Sequence, residues 1–365
     1  MSSPVEHFQN IWSRIQQTPT QAPTRSSISR NQVDIGNTMG DAFQRDGHYF
    51  QVRINEMFLA NSREWFSQYD PLVFVVTEFT YNKKVEVVPF IVGPSLLEKH
   101  GQQAPTGMVF SNTKVAGLYP YKGGQIALSI ILGRVRRSNY AKQVLKLVES
   151  TASALDFSTA LSTYVKVANV LLDGVESLFG LGDTQTLVGL RKEFDPSAGD
   201  QLKPNFFVLI DKPESEVDTS KLWVRDNQLV YGTSLSTAKP YRDADYVLYS
   251  IVQTTERQDE TALPFYPLYE QVKEAAAKPD PESWKRAKAN MLTLYQNLVL
   301  SPDLIPGQVR NLVNNYVQEM RYLHATAVGL GSLSGGDGFD IGTIEGDANI
   351  ESSLSKATEI LDLKL

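Results

Sequence analysis

The chain has 365 residues, with 35 lysines and arginines against 41 aspartates and glutamates, no cysteine, and a hydrophobic content of 42%. This composition indicates a folded protein that is long enough for one large domain or two average ones. Without cysteine there is no disulfide scaffold, cysteine-ligated zinc site, iron–sulfur cluster or catalytic thiol. Ordinary glycine and proline contents also exclude collagen-like and wholly disordered chains.

Residues 1–17 predict an amphipathic helix. Ser3 and Glu6 form a capping-box pattern on either side of Pro4, which suits the first helical position. The apolar residues that follow are three or four positions apart and share one helical face. We call them the N-terminal stripe, and they are Val5, Phe8, Ile11, Trp12 and Ile15. The stripe is predicted to dock, either on the chain's own domain or on a neighbouring subunit.

The rest of the chain predicts an α+β fold. A tether over residues 18–44, rich in Thr, Pro, Ser and Gln at its start, leads into an antiparallel β-sandwich over 45–260. The sandwich is predicted from short β-branched and aromatic runs that Pro, Gly and Asn separate. These runs lie at 49–59, 72–80, 85–92, 125–132, 205–210, 222–231 and 245–253. Residues 261–328 then predict a helical bundle, and 329–365 a glycine-rich tail with a short closing helix.

Two helical patterns interrupt the predicted strands at residues 139–182. The second pattern is the more apolar of the two and ends at the glycines Gly180 and Gly182. If the strands on both sides build one sandwich, the two helices form a hairpin inserted into it; otherwise the chain contains two small β domains. We expect the insertion, because neither group of strands alone has enough strands for a stable sandwich.

The charge distribution is the strongest pattern in the sequence. Residues 99–148 contain no Asp or Glu and carry +8, whereas the whole chain carries −6, which leaves about −14 for the rest. We call this the basic segment, and its charged residues are Lys99, Lys114, Lys122, Arg134, Arg136, Arg137, Lys142 and Lys146. It is predicted to contact acidic residues elsewhere in the fold, an acidic protein partner, or anionic lipid. Nucleic acid is the least favoured partner, because the chain is acidic overall and has no nucleic-acid-binding motif.

No sequence motif predicts an enzyme. The chain lacks a P-loop, a dinucleotide-binding glycine motif, an HExxH zinc motif and a GxSxG nucleophile elbow. A site assembled from distant residues would have Asp243, Asp245 and His48 as its candidates, since paired carboxylates can bind a divalent cation or act as acid and base. A solvated turn is the favoured interpretation of the two aspartates, so we expect no catalytic residue, no metal site and no cofactor.

These patterns predict a non-enzymatic interaction subunit or adaptor of a multi-protein assembly, which docks through its terminal helices. Binding to a protein partner or self-association follows from this prediction. The alternative is an effector that acts on anionic membranes through residues 99–148 and the hairpin at 139–182, and the second alternative is an enzyme. The start of the sequence lacks the basic and apolar pattern of a signal peptide, so we expect a cytoplasmic location.

Overall fold

The structure is a computed structural model. It describes residues 3–16, 22–34, 40–60, 63–64, 67–81, 84–93, 108–136, 161–180 and 184–333, together with Gln143, Leu145 and Val148. The chain divides into two compact units, Met1–Thr254 and Thr255–Leu365, so the boundary expected at residue 260 lies a few residues beyond this division. Among the described residues, no helix combines the length and the apolar character needed to cross a membrane.

The described part of the first unit contains thirteen strands and two α-helices whose bounds are described. In chain order they are α1 (Pro4–Gln16), β1 (Thr24–Ser27), β2 (Tyr49–Phe58), β3 (Arg63–Glu64), β4 (Ser67–Tyr81), β5 (Lys84–Val92), β6 (Met108–Pro120), β7 (Ile126–Arg136), α2 (Leu161–Gly180), β8 (Thr184–Phe194), β9 (Asn205–Ile210), β10 (Leu222–Arg225), β11 (Gln228–Tyr231), β12 (Lys239–Pro240) and β13 (Tyr246–Thr254). Sheet I has the order β1-β9-β13-β2-β6. Sheet II has the order β5-β4-β7-β8, with β3 paired to the start of β4. The small sheet has the order β10-β11-β12, and the strands of all three sheets pair antiparallel.

Sheets I and II pack face to face as a sandwich. Phe50 of β2 packs edge-on against Phe79 of β4 with ring centroids 5.3 Å apart, and Phe79 stacks on Tyr119 of β6 at 4.9 Å. β4 is buried from Pro71 to Phe79 because both faces of sheet II are covered. This double burial explains why the β4 sequence is a nearly continuous apolar run and not an alternating one. The predicted α+β fold with an antiparallel sandwich is confirmed.

The helical segment is inserted into the sandwich, as predicted. α2 lies between β7 and β8 in the sequence, and these two strands are neighbours in sheet II. Sheet I combines strands from before and after the insertion, so both groups of strands build one sandwich. Most of the first predicted helix, residues 139–155, lies outside the described residues. Of its described members, Leu145 and Val148 are helical and buried in the same core.

α1 and α2 cover the outer face of sheet II, which is the face that points away from sheet I. Phe8 of α1 packs against Phe74 of β4 with ring centroids 6.4 Å apart. Trp12 lies over Gly189 of β8, where any side chain would touch its indole ring. α2 adds four buried residues to this core, which are Leu171, Leu172, Val175 and Leu178.

The small sheet covers one end of the outer face of sheet I. Its β10–β11 hairpin turns through Asp226 and Asn227, whose φ angles of 53° and 62° are typical of a tight two-residue hairpin. Apolar side chains of the small sheet and of sheet I form a second core between them. Its members include Leu222, Val224, Leu229, Phe58, Phe206, Val208, Ile210, Tyr246 and Leu248.

The second unit contains three described helices, α3 (Tyr266–Ala276), α4 (Pro281–Leu300) and α5 (Pro306–Leu333), in agreement with the predicted C-terminal helical bundle. The carboxylate of Asp280 accepts a hydrogen bond of 2.8 Å from the backbone N–H of Ser283 and so caps α4. Arg257 holds the segment before α3, because it donates to the carbonyl of Asp303 at 2.9 Å and to the carboxylate of Asp259 at 2.6 and 2.8 Å. The tail is predicted to begin at residue 329, but α5 continues to Leu333, so residues 329–333 are helical. The rest of the predicted tail lies outside the described residues.

Five strands lie outside the runs that the sequence predicts, namely β1, β3, β6, β8 and β12, and of these β3 and β12 have only two residues each. β1 lies within the predicted tether and is an edge strand that pairs with β9. The backbone N–H and the hydroxyl of Thr24 both donate to the carbonyl of Lys212 at 2.7 Å. β6 and β8 mix apolar residues with polar and charged ones, so neither has a clear period. β6 also needs a glycine at Gly117, whose φ is 99° and where a side chain would clash with the carbonyl oxygen of Phe50.

Candidate functional site

The N-terminal stripe packs inside the first unit. Phe8 and Ile11 are buried, with exposed fractions of 1% and 3%, and Val5 and Trp12 are partly buried against the same core. The side chain of Ile15 lies outside the described part of the chain. Of the two docking modes that the sequence left open, the structure has the one on the chain's own domain. Binding of a partner by the same residues stays a prediction, and it requires α1 to leave sheet II.

Polar contacts also hold α1 in place. Nε2 of His7 lies 3.0 Å from a carboxylate oxygen of Glu176 in α2, and its Nδ1 lies 3.7 Å from Asp173. Ser3 and Glu6 exchange the two hydrogen bonds of the predicted capping box, at 3.0 and 3.2 Å. α1 is therefore fixed to sheet II by apolar packing and to α2 by the histidine contact.

The basic segment is only partly described. Its members outside the described residues are Lys99, Arg137, Lys142 and Lys146. Nζ of Lys122 donates to the carboxylate of Asp46 at 3.0 Å, so the fold compensates this charge. Nε of Arg134 donates to Gln185 at 2.8 Å, and its guanidinium lies 4.5 Å above the ring centre of Tyr69.

The described basic residues do not form one continuous patch. Lys122 precedes β7, whereas Arg134 and Arg136 lie at the opposite end of this strand. The stretch from Ile126 to Arg134 spans roughly 26 Å at about 3.3 Å per residue. Lys114 and Arg136 are exposed, and no carboxylate of the described residues lies within ion-pair distance of either. These two are the members whose charge the described fold leaves uncompensated.

Lys114 lies beside a second cation. It is directly opposite Arg53 in the β2–β6 ladder, and directly opposite residues share one face with their Cβ atoms about 5 Å apart. Arg53 alternates with Val52 and Ile54, which belong to the core between the sheets, so this face is the outer face of sheet I. Ser250 of β13 lies opposite Arg53 on its other side. We call Arg53 and Lys114 the cation pair.

Arg53 is half-buried and lacks a described counter-charge. Its Nε donates to Oε1 of the buried Gln51 at 2.6 Å, and no carboxylate in the described ranges lies within ion-pair distance. Burial lowers the pKa of the Arg53 guanidinium below its usual value. An arginine nevertheless stays protonated at ordinary pH. Like charges opposite each other repel, and a half-buried charge loses hydration, so both effects oppose folding at the cation pair.

Another arginine on the same face is compensated. Glu56 of β2 is fully buried and accepts hydrogen bonds from the backbone N–H of Leu229 at 2.7 Å and from Arg242 at 3.3 Å. Arg242 also donates to the hydroxyl of Tyr246 at 2.8 Å. Burial raises the pKa of Glu56, and the hydrogen bonds from Leu229, Tyr246 and Arg242 lower it only in part. This network joins the small sheet to sheet I, so its role is to hold the fold together.

The candidate acid–base residues have local structural roles. Oδ1 of Asp245 accepts a hydrogen bond of 2.6 Å from the backbone N–H of Ala60, and Nδ1 of His48 accepts one of 2.9 Å from a backbone N–H in its own turn. Asp243 is exposed in the turn before β13. Burial, and secondarily the charge of Asp245, raise the pKa of Asp211. Within the described part of the chain, no three or more His, Asp or Glu side chains are arranged to hold a metal ion.

Comparisons with known proteins give no family for the chain. No protein-family model matches it. No curated protein matches it significantly, and no solved structure does. The function is therefore inferred from the geometry of the chain itself.

The charge pattern of the sequence indicates only one of the two residues of the cation pair. The basic segment contains Lys114 but not Arg53, because the two belong to separate strands and only the ladder brings them together. Arg53 could have been placed on the polar face of its strand from the alternation of apolar and polar residues in β2. The alternating residues are Phe50, Gln51, Val52, Arg53, Ile54 and Asn55.

Proposed function

We propose that this chain is a non-enzymatic interaction subunit that binds an acidic segment of a protein partner. The observation that supports the proposal is the uneven compensation of the basic segment. Lys122 is paired with Asp46, whereas Lys114 and Arg136 are exposed and meet no described carboxylate. Exposed cations that the fold does not neutralise are available to attract and orient the acidic groups of another molecule.

An acidic protein segment suits these residues better than an anionic bilayer. A bilayer presents its charge as a broad plane that exposed cations meet together. Here Lys122 is already neutralised, and Arg53 is half-buried, so both contribute less than exposed cations to the attraction of a flat anionic surface. Projecting carboxylates can contact both half-buried and exposed cations. A chain of net charge −6 also has no general attraction for anionic surfaces.

The proposal is tested by fluorescence anisotropy with the full chain and a labelled peptide of alternating glutamate and serine. We expect this peptide to bind more tightly than the same peptide with glutamine in place of glutamate. Binding should weaken with salt, because the screening length falls from about 10 Å at 0.1 M to about 3 Å at 1 M. The double variant Lys114→Glu with Arg136→Glu should lose at least about tenfold in affinity, which is about 1.4 kcal/mol.

The matched control is the double variant Lys84→Glu with Lys285→Glu. Both lysines are exposed, and the two reversals change the net charge by the same amount in other parts of the chain. The control variant should retain the affinity of the unmodified chain for the glutamate peptide. Equal binding of the glutamate and glutamine peptides, or an equal loss in both double variants, would contradict the proposal.

A further inference from the structure

The cation pair identifies the place where an acidic partner is held, an inference that rests on the proposed function. We infer that Arg53 and Lys114 form a carboxylate-binding site on the outer face of sheet I, which takes a glutamate or aspartate side chain of the partner. Neither the charge of the basic segment nor its exposed residues alone indicates this position. Only the β2–β6 ladder places a half-buried guanidinium opposite an exposed ammonium.

The guanidinium of Arg53 is oriented for this task. Its Nε is used by the bond of 2.6 Å to Gln51, whose side chain is buried and therefore fixed in position. The terminal nitrogens Nη1 and Nη2 make no hydrogen bond to a described residue. A guanidinium held in one plane with both terminal nitrogens available is the fork that pairs with the two oxygens of a carboxylate.

The position of the two residues in the sheet gives the direction of approach. β6 is the outermost strand of sheet I in the described part of the chain, so Lys114 lies at the rim and Arg53 one strand further in. Beyond Arg53 along β2, the small sheet closes the face, where Nδ2 of Asn55 lies 3.5 Å from Oδ1 of Asn227. A carboxylate that enters over β6 therefore meets Lys114 first and Arg53 second.

The electrostatics favour an occupied site. In the chain alone, the two cations repel each other and Arg53 has lost part of its hydration. A carboxylate between them removes the repulsion and supplies the missing counter-charge, so binding recovers free energy that folding lost. This arrangement is typical of a site that lowers the stability of the chain for the sake of binding.

The test is the variant Arg53→Met, measured in the full chain for both affinity and thermal stability. Methionine keeps much of the apolar length of arginine but carries no charge and no donor. We expect the affinity for the glutamate–serine peptide to fall at least about tenfold, while the Tm of the peptide-free chain rises by about 2–4 °C. The variant Arg53→Lys keeps the charge and loses the fork, so its affinity should fall by a smaller factor, about threefold.

The two readouts separate a binding role from a structural one. A residue that only stabilises the fold would lower Tm when it is replaced, and this result would overturn the inference. An unchanged peptide affinity in Arg53→Met, with the loss in Lys114→Glu and Arg136→Glu retained, would also overturn the site and leave the proposed function standing. If the unmodified chain does not prefer the glutamate peptide, the proposed function itself fails.

A separate experiment with phosphatidylserine vesicles tests whether the cation pair binds anionic lipid and not a protein carboxylate. We expect no flotation with these vesicles at a salt concentration at which the glutamate peptide binds. Flotation that Arg53→Met abolishes, without binding of the glutamate peptide, would overturn the assignment to a protein carboxylate. Circular dichroism of each variant should match that of the unmodified chain, and this match assigns the affinity changes to the site.

Discussion

The outer faces of the two sheets each carry an arginine, and the two arginines differ in their counter-charges. On sheet II, Arg191 contacts Glu78 directly and Glu193 at 3.1 Å, and it lies 6.0 Å from the ring centre of Phe8 in α1. On sheet I, Arg53 has only the amide oxygen of Gln51 among the described residues. The covered sheet therefore has a compensated cation, and the partly open sheet has an uncompensated one.

The pKa values of the two guanidinium groups move in opposite directions. Burial lowers the pKa of Arg53, and nothing described opposes this effect. Burial also acts to lower the pKa of Arg191, but the hydrogen bonds and charges of Glu78 and Glu193 raise it above its usual value. Burial of an arginine therefore does not by itself make it structural, because its counter-charge decides between stabilising the fold and binding another molecule.

The largest expected effect comes from removing a counter-charge on sheet I. Glu56→Ala removes the buried carboxylate that the partly exposed Arg242 contacts, and it leaves the buried backbone N–H of Leu229 without its acceptor. We expect a loss of about 3–5 kcal/mol in the free energy of unfolding, measured by urea denaturation. The exposed Glu214→Ala is the control and should change stability by less than about 0.5 kcal/mol. A loss in Glu56→Ala as small as that of the control would show that the network does not hold the small sheet.

A second experiment uncovers sheet II. Phe8→Ala removes the ring that packs against Phe74 and beside Arg191, and we expect a loss of about 3 kcal/mol. Hydrogen exchange in α1 should accelerate, because a helix of 13 residues is marginal without its packing. Gln9→Ala on the exposed side of α1 should leave the exchange slow. Equally slow exchange in Phe8→Ala would contradict the role of the stripe as the anchor of α1.

A third experiment disturbs the ladder that creates the cation pair. Gly117→Ala places a side chain against the carbonyl oxygen of Phe50 at a positive φ, so we expect a loss of about 2 kcal/mol. Because β6 must shift relative to β2, the glutamate peptide should also bind more weakly. Gly199→Ala has a positive φ but open space around it, and it should leave peptide binding unchanged. If Gly117→Ala bound the peptide with full affinity, the binding role of the cation pair would not depend on the register of β6.

The smallest expected effect is a dependence of stability on pH. Burial and the charge of Asp245 raise the pKa of Asp211, so ionisation of Asp211 destabilises the fold. The contribution of protonated Asp211 to the free energy of unfolding is fully present below its pKa in the unfolded chain, which is about 3.9. It is lost as pH rises through the higher pKa of the folded chain. Asp211→Asn should therefore match the unmodified chain at low pH and exceed its Tm at neutral pH.

The control for this pH dependence has the opposite sign. The hydrogen bond from Ser220 is the main cause that lowers the pKa of Asp218, so its ionised form stabilises the fold. Asp218→Asn should therefore lose stability at neutral pH, and the loss should disappear as pH falls through the lowered pKa. Parallel pH profiles for the two variants would contradict the assignment of opposite shifts.

The sequence predicts the parts of this fold whose burial leaves a pattern. The apolar run in β4, the inserted α2 and the capped α4 are all visible, because burial and capping restrict residue type. β1 is not visible, since main-chain hydrogen bonds to β9 hold a polar edge strand and side-chain composition does not record them. β6 and β8 are hidden for a related reason, because charged and small residues interrupt their period.

The candidate site is less predictable than the fold. The excess of positive charge in residues 99–148 is visible in the sequence, but its compensation is not. Lys122 is neutralised by Asp46, and Lys114 gains Arg53 as a neighbour, through contacts between segments far apart in the chain. Composition gives the sign of the net charge of such a segment, whereas the register of the sheet decides which of its charged side chains lack a counter-charge in the fold.

The roles of the two arginines are tested most simply by comparing the stability of Arg53→Met with that of Arg191→Met in urea denaturation of the full chain. We expect changes of opposite sign. Arg53→Met should gain about 1 kcal/mol because it removes an uncompensated charge, and Arg191→Met should lose about 3 kcal/mol because it leaves Glu78 buried without its partner. A loss of stability in both variants would contradict the claim that Arg53 is held in the fold for binding.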